Sequence, residues 1–201
     1  MANRPVYVVR EKEPFYSIMD VDFQWSSGFA KCQKQKNIVA LHEGFHNIKP
    51  KLNILEISSK SLQEEGILMS AFNLQKYVPS LKKTVSVECA YQAGKVFKNG
   101  GPYTDLFAST SREAKRDERL KTSGELIGFE FEGQKFPVTP KSLFYDYLYI
   151  NALFENKELA KKLLNYDAFT DIEFNPKTAL NCQARAAATF VSLYRMGLIE
   201  K

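Results

Sequence analysis

Residues 86–97 read Ser86-Val87-Glu88-Cys89-Ala90-Tyr91-Gln92-Ala93-Gly94-Lys95-Val96-Phe97. Apolar or small side chains fill most of these positions, so a helix here is expected to be largely buried, with Ser86 as its N-cap and an end near Phe97. Glu88, Gln92 and Lys95 stand at i, i+4 and i+7. At roughly 100° per residue they fall within about 60° of one another on such a helix. Unpaired buried charges are costly. A carboxylate, an amide and an amine on one line therefore mark either a solvent-facing edge with a simple Glu–Lys pair, or the wall of a pocket. In a pocket the carboxylate would handle protons, and the lysine would serve as a phosphate-binding cation or as a nucleophile.

Outward from this stretch the pattern is α+β and helix-dominated, with a few short strands. Asn99-Gly100-Gly101-Pro102 stops the central helix. Thr110-Ser111-Arg112-Glu113 has capping-box spacing for another, ending near Gly124. Leu126–Phe131 and Lys135–Val138 flank Glu132-Gly133-Gln134, a hairpin signal. Thr139-Pro140 opens an aromatic helix through Phe154, with Pro at its favoured first position, and Glu158–Leu164 adds a short one. Towards the N-terminus, Val6–Val9 and Phe15–Phe23 read as edge strands. Lys31–His46 reads as a helix with Ile38, Leu41 and Phe45 on one face, and Asn53–Ile57 as a strand. Asp167–Pro176 is irregular or extended, and Asn181–Met196 is a last helix ended by Gly197. No internal repeat, low-complexity tract or linker interrupts the chain, so residues 1–201 are expected to form one domain.

The composition narrows the class. With 201 residues and 44% hydrophobic content the chain can bury a core without staples. Its fifteen Phe and ten Tyr are mostly core material. The formal net charge of +5 permits a phosphate-bearing partner without demanding one. Three scattered cysteines, Cys32, Cys89 and Cys182, form no CxxC pair, which speaks against a disulfide framework or a cysteine zinc site. With no signal core and no apolar run of spanning length, the expected setting is the cytoplasm, without membrane contact.

The central stretch is similar to the motif of the NADAR family. In that motif an acidic residue follows a small/hydroxyl–Val pair, and an aromatic–Gln step leads to a Lys. Ser70-Ala71-Phe72-Asn73-Leu74 resembles the family's Ser-Asn-Phe motif, with Ala71 where Asn is usual. Residues 166–176 (Tyr-Asp-Ala-Phe-Thr-Asp-Ile-Glu-Phe-Asn-Pro) and Asn181-Cys182-Gln183-Ala184-Arg185 resemble the branch paired, as antitoxins, with DNA-guanine ADP-ribosyltransferase toxins. The likeness spans most of the chain. It implies a NADAR-like fold and a cofactor-free N-glycosidase that removes ADP-ribose from guanine in single-stranded DNA, RNA or a nucleotide. It also implies that Lys95 attacks the ribose anomeric carbon to form an imine while Glu88 transfers protons.

Other side chains bear on the same chemistry. Asp171 and Glu173, if extended, would share one side of their segment, as a general acid or base and as a ribose ligand. Asn181 and Arg185, near a helix start, could hold the diphosphate. Phe72 and Trp25 could stack on a base beside Asn73 and Gln92. Two rival readings remain. His42-Glu43-Gly44-Phe45-His46 matches HExxH, which on a helix could bind zinc for a peptidase, although no third histidine exists. The other rival is a non-catalytic ADP-ribose-binding module.

Overall fold

The computed structural model describes residues 1–176, 179 and 181–199. Its architecture is α+β, and the chain divides into two compact units, residues 1–70 with 158–201, and residues 71–157.

The first unit is built on a four-stranded sheet. Strand β1 (Ala2–Val9) pairs antiparallel with β2 (Tyr16–Phe23) across its whole length. On its other side β1 pairs with β9 (Ala168–Thr170), and β9 runs parallel to β3 (Ile54–Glu56), giving the order β2-β1-β9-β3. Thus β2 is an edge as expected, whereas β1 is interior. Consecutive strand side chains point to opposite faces, and Pro5, Val6 and Tyr7 are all buried, so both faces of β1 are covered. On one face, helix α1 (Lys31–Ile48) buries Ile38, Leu41 and Phe45 against Val6, Val21, Phe23, Ile54, Ala168 and Ile172. Helix α8 (Gln183–Arg195) packs against β1 and β9. Its fully buried Ala184, Ala186, Ala187 and Ala188 allow close approach. Two short helices complete this part of the chain, α2 (Glu64–Leu68) and α7 (Lys157–Leu163), the latter where the chain re-enters the unit.

The second unit carries a hairpin, β4 (Gln75–Val78) with β5 (Lys83–Ser86), and a three-stranded antiparallel sheet. That sheet runs β6 (Lys95–Phe97), β7 (Leu126–Phe131), β8 (Gln134–Phe136). The β7–β8 turn places Glu132 and Gly133 at positive φ, 50° and 75°, the tight geometry a two-residue hairpin needs. Helix α3 (Val87–Ala93) lies against α6 (Leu143–Glu155), with α4 (Ser111–Arg116) and α5 (Arg119–Thr122) following. The aromatic content concentrates here. Phe144 stacks on Phe129 at 4.8 Å and meets Phe136 at 5.0 Å, with Tyr91 tilted against the same group.

Three boundaries differ from expectation. Helix α3 ends at Ala93, not near Phe97, because the Gly94 carbonyl accepts the Glu130 amide at 2.7 Å and starts the sheet. The helix capped by Thr110 stops at Arg116 and resumes only as α5. Pro140 lies ahead of α6, whose cap is Ser142.

Candidate functional site

Ser86 caps α3 through its side chain, which accepts the Cys89 amide at 3.1 Å. The loop before β4 is tied to the same helix start. The Glu88 amide donates to the Ala71 carbonyl at 2.8 Å, and that of Val87 to Leu74 at 2.9 Å. The Ser111 hydroxyl donates to the Phe72 carbonyl at 2.8 Å and lies 2.7 Å from that of Ser86. These bonds set half-buried Phe72 beside α3 and α4, with exposed Asn73 following it.

Glu88 and Gln92 share one face of α3 and are each 6% exposed. The Gln92 Nε2 donates to Glu88 Oε1 at 2.8 Å. That bond orients the amide and leaves its carbonyl oxygen buried without a partner among the described residues. Such an orphan costs about 1–3 kcal/mol, so it marks a place where a ligand donor would be welcome.

Lys95 is not on the helical line with these two residues, because it is the first residue of β6. Its ammonium nevertheless feels Glu88, and its Nζ lies 4.9 Å from the centre of the Tyr91 ring. Burial pushes its pKa below the ordinary lysine value. Glu88 opposes that shift, and a second cation, Lys115, reinforces it. Among the described residues no carboxylate forms an ion pair with Lys95. Gly101 makes room for this arrangement: its φ is +83°, and a Cβ there would lie 2.3 Å from the Lys95 carbonyl oxygen. A half-buried amine whose pKa burial lowers, beside a carboxylate, is the arrangement a lysine nucleophile needs.

The remaining candidates lie in the first unit. The segment of Asp171 and Glu173 is turned and not extended, so strand alternation does not apply to the pair. A turn closes from the Phe174 amide to the Asp171 carbonyl at 3.1 Å, and the Asp171 carboxylate accepts the Glu173 amide at 3.1 Å. Glu173 is exposed and pairs with Lys34 at 3.2 Å. Asp171 has its pKa raised well above the usual carboxylate range, first by burial and then by Glu56. Trp25 is half-buried at the margin of the core, with Arg4 5.3 Å and Lys34 5.7 Å from its ring centre. Asn181 precedes α8, whose cap is Cys182. Half-buried Arg185 lies in the first turn, where its charge acts on Tyr7 and Cys182.

Sequence reasoning missed Glu56, a fully buried carboxyl inside the Ile-Leu-Glu strand. It accepts the Thr170 hydroxyl at 2.6 Å and the Ile172 amide at 2.8 Å. His42 Nε2 lies 2.9 Å from that same hydroxyl. His46 Nε2 lies 3.3 Å from the Leu52 carbonyl. Among the described residues no three His, Cys, Asp or Glu side chains gather where a metal ion could be held, so the HExxH pair finds no third side-chain ligand there. No described helix is long and apolar enough to cross a membrane.

A family model described as DarT1-associated NADAR antitoxin matches residues 2–201. No curated protein matches the chain.

Proposed function

Because the chain belongs to the family of DarT1-associated NADAR antitoxins, we propose that it is an N-glycosidase that removes ADP-ribose from guanine. In this reading residues 1–201 act as one functional domain in the cytoplasm. The substrate is ADP-ribosyl-guanine in single-stranded DNA or a related nucleotide, and the partner is an ADP-ribosyltransferase toxin whose modification it reverses.

The observation that carries the reading is Lys95, a half-buried amine with a lowered pKa beside the Glu88 carboxylate. Lys95 passes its proton to the Glu88 carboxylate, and its neutral nitrogen attacks the anomeric carbon of the distal ribose. A bond forms from Nζ to that carbon, and the bond from carbon to the guanine nitrogen breaks. Guanine leaves with its bonding electrons and takes a proton from Glu88. The N-glycosyl lysine opens to an imine, and Glu88 removes a proton from the water that hydrolyses it, returning free ADP-ribose and Lys95. Gln92, with its amide anchored on Glu88, offers its carbonyl to a substrate O–H or N–H. Phe72 supplies an aromatic face, with Asn73 next to it.

Asp171, Glu173, Asn181, Arg185 and Trp25 are proposed as further substrate contacts, with Asp171 as a proton-transfer residue because burial raises its pKa.

Borohydride added during turnover should trap an ADP-ribose adduct at Lys95, seen as a mass shift on its peptide. Lys95→Arg should bind ADP-ribose and fail to cleave. An active Lys95→Arg variant, or full turnover with no adduct, would overturn the covalent role. Turnover that disappears with chelator and returns with zinc would instead favour the peptidase-type histidine pair.

A further inference from the structure

One cation of the second unit acts on Lys95 through its charge but takes no proton and forms no bond in the steps above. Lys115 lies in the last turn of α4. Its Nζ is 4.0 Å from Glu88 Oε1 and 5.2 Å from the centre of the Phe72 ring. The Lys115 side chain is 59% exposed, whereas that of Glu88 is 8% exposed. At 4.0 Å the contact is Coulombic and longer than a hydrogen bond, so the ammonium donors are not committed to the carboxylate. The aromatic face beneath the charge adds a modest hold. The acidic residue of α4, Glu113, is taken up by the capping box with Thr110 and does not compete for Lys115. The result is a cation parked over Phe72, within range of the proton-transfer carboxylate and open to solvent on its other side.

We propose that Lys115 is a phosphate contact of the ADP-ribosyl group, leaving Glu88 for the diphosphate when substrate enters. This rests on the glycosidase reading. A compact ammonium with three donors suits non-bridging phosphate oxygens, and two formal charges on the diphosphate outbid one carboxylate. In the free protein Lys115 shields Glu88. Once it moves to phosphate, Glu88 is left to serve the leaving guanine, so proton transfer is coupled to recognition of the correct anionic substrate.

The test compares parent, Lys115→Gln and Lys115→Arg on two substrates. One is ADP-ribosyl-guanosine. The other is guanosine carrying bare ribose on the same nitrogen, without phosphates. Lys115→Gln should lose about ten- to a hundred-fold in kcat/KM on the first substrate, mainly through KM. With both proteins read on the high-pH plateau, where Lys95 is neutral in each, it should change by no more than a few-fold on the second, and Lys115→Arg should retain most of the activity. Equal losses on both substrates, or no loss on either, would overturn the assignment. Calorimetric titration with ADP-ribose reads the same contact without turnover. If Lys115→Gln binds it about ten-fold or more weakly than the parent, the assignment stands even where no glycosidic bond is cut, and then only the glycosidase reading falls. Equal affinity in parent and variant overturns it.

Discussion

At the scale of single residues, the second unit holds two side chains whose states are unfavourable unless a ligand arrives. Lys95 loses solvation, and Gln92 keeps a carbonyl oxygen buried without a donor among the described residues. Gln92→Leu removes that orphan but also strips a donor from Glu88, and both effects are on the order of 1–3 kcal/mol. They act in opposite directions, so the urea midpoint should move little while kcat/KM for ADP-ribosyl-guanosine falls at least ten-fold. A large loss of stability with proportionate loss of activity would make Gln92 a packing residue. Lys95 gives a pH signature as well. The reactive amine is the deprotonated form, so kcat/KM should rise with pH through a pKa below the ordinary lysine value. Lys115→Gln, which removes a like charge, should move that limb to higher pH. A limb that stays put in the variant would show that Lys115 does not act on Lys95.

At the scale of elements, Gly94 decides where α3 stops and β6 begins. Its φ of −73° is ordinary helical backbone. Propensity alone would therefore have Gly94→Ala stabilise a helix by about 1 kcal/mol. The structure requires the opposite sign: a Cβ at Gly94 would lie 2.7 Å from Phe144 Cζ and 2.9 Å from the Glu130 carbonyl oxygen. Overpacking of this kind costs about 1–3 kcal/mol. Urea unfolding of Gly94→Ala should show that loss, together with reduced borohydride trapping at the neighbouring Lys95, and a stabilised variant would refute the packing argument. The same residue shows what a sequence can and cannot reveal. The Ser86 cap, the Thr110 capping box, the β7–β8 turn and the buried face of α1 were legible because each is specified by residues within a few positions of one another. The end of α3 was not legible, because it is set by Phe144 and Glu130, far along the chain. The grouping of Glu88 with Gln92 was read correctly from helical spacing. Lys95 was read as a neighbour for the wrong reason, since it reaches Glu88 from a strand. Glu56 was hidden because a three-residue buried strand reads as an apolar run, and its partners Thr170 and Ile172 lie more than a hundred residues on. The Asp171–Glu173 alternation failed because a turn, not a strand, follows β9.

At the scale of the whole molecule, the pH dependence of stability should carry opposing contributions from the first unit. Thr170 donates its hydroxyl proton to Glu56, so it accepts from His42, whose Nε2 carries the proton. Burial, aided by His46, lowers the His42 pKa to about 4. Between an unfolded pKa of about 6.5 and that value, the unfolded chain binds a proton that the folded one does not, so His42 makes stability fall as pH falls. Glu56 and Asp171 have raised pKa values, so the folded state binds protons more readily and their contribution grows as pH falls. The net slope of the parent mixes these signs, but a variant separates them. Gln at position 42 can still donate to Thr170 and cannot titrate. At pH 7 His42→Gln should be the less stable protein, because a fitted side chain has been replaced. As pH is lowered from 7 to 5 the gap should close by about 2 kcal/mol, which is about 1.5 pH units of titration at 1.36 kcal/mol each. Trp25, the only tryptophan in the chain, lies in the same unit and reports its unfolding by fluorescence. Urea curves for parent and variant that stay parallel across this range would mean that His42 is not held neutral.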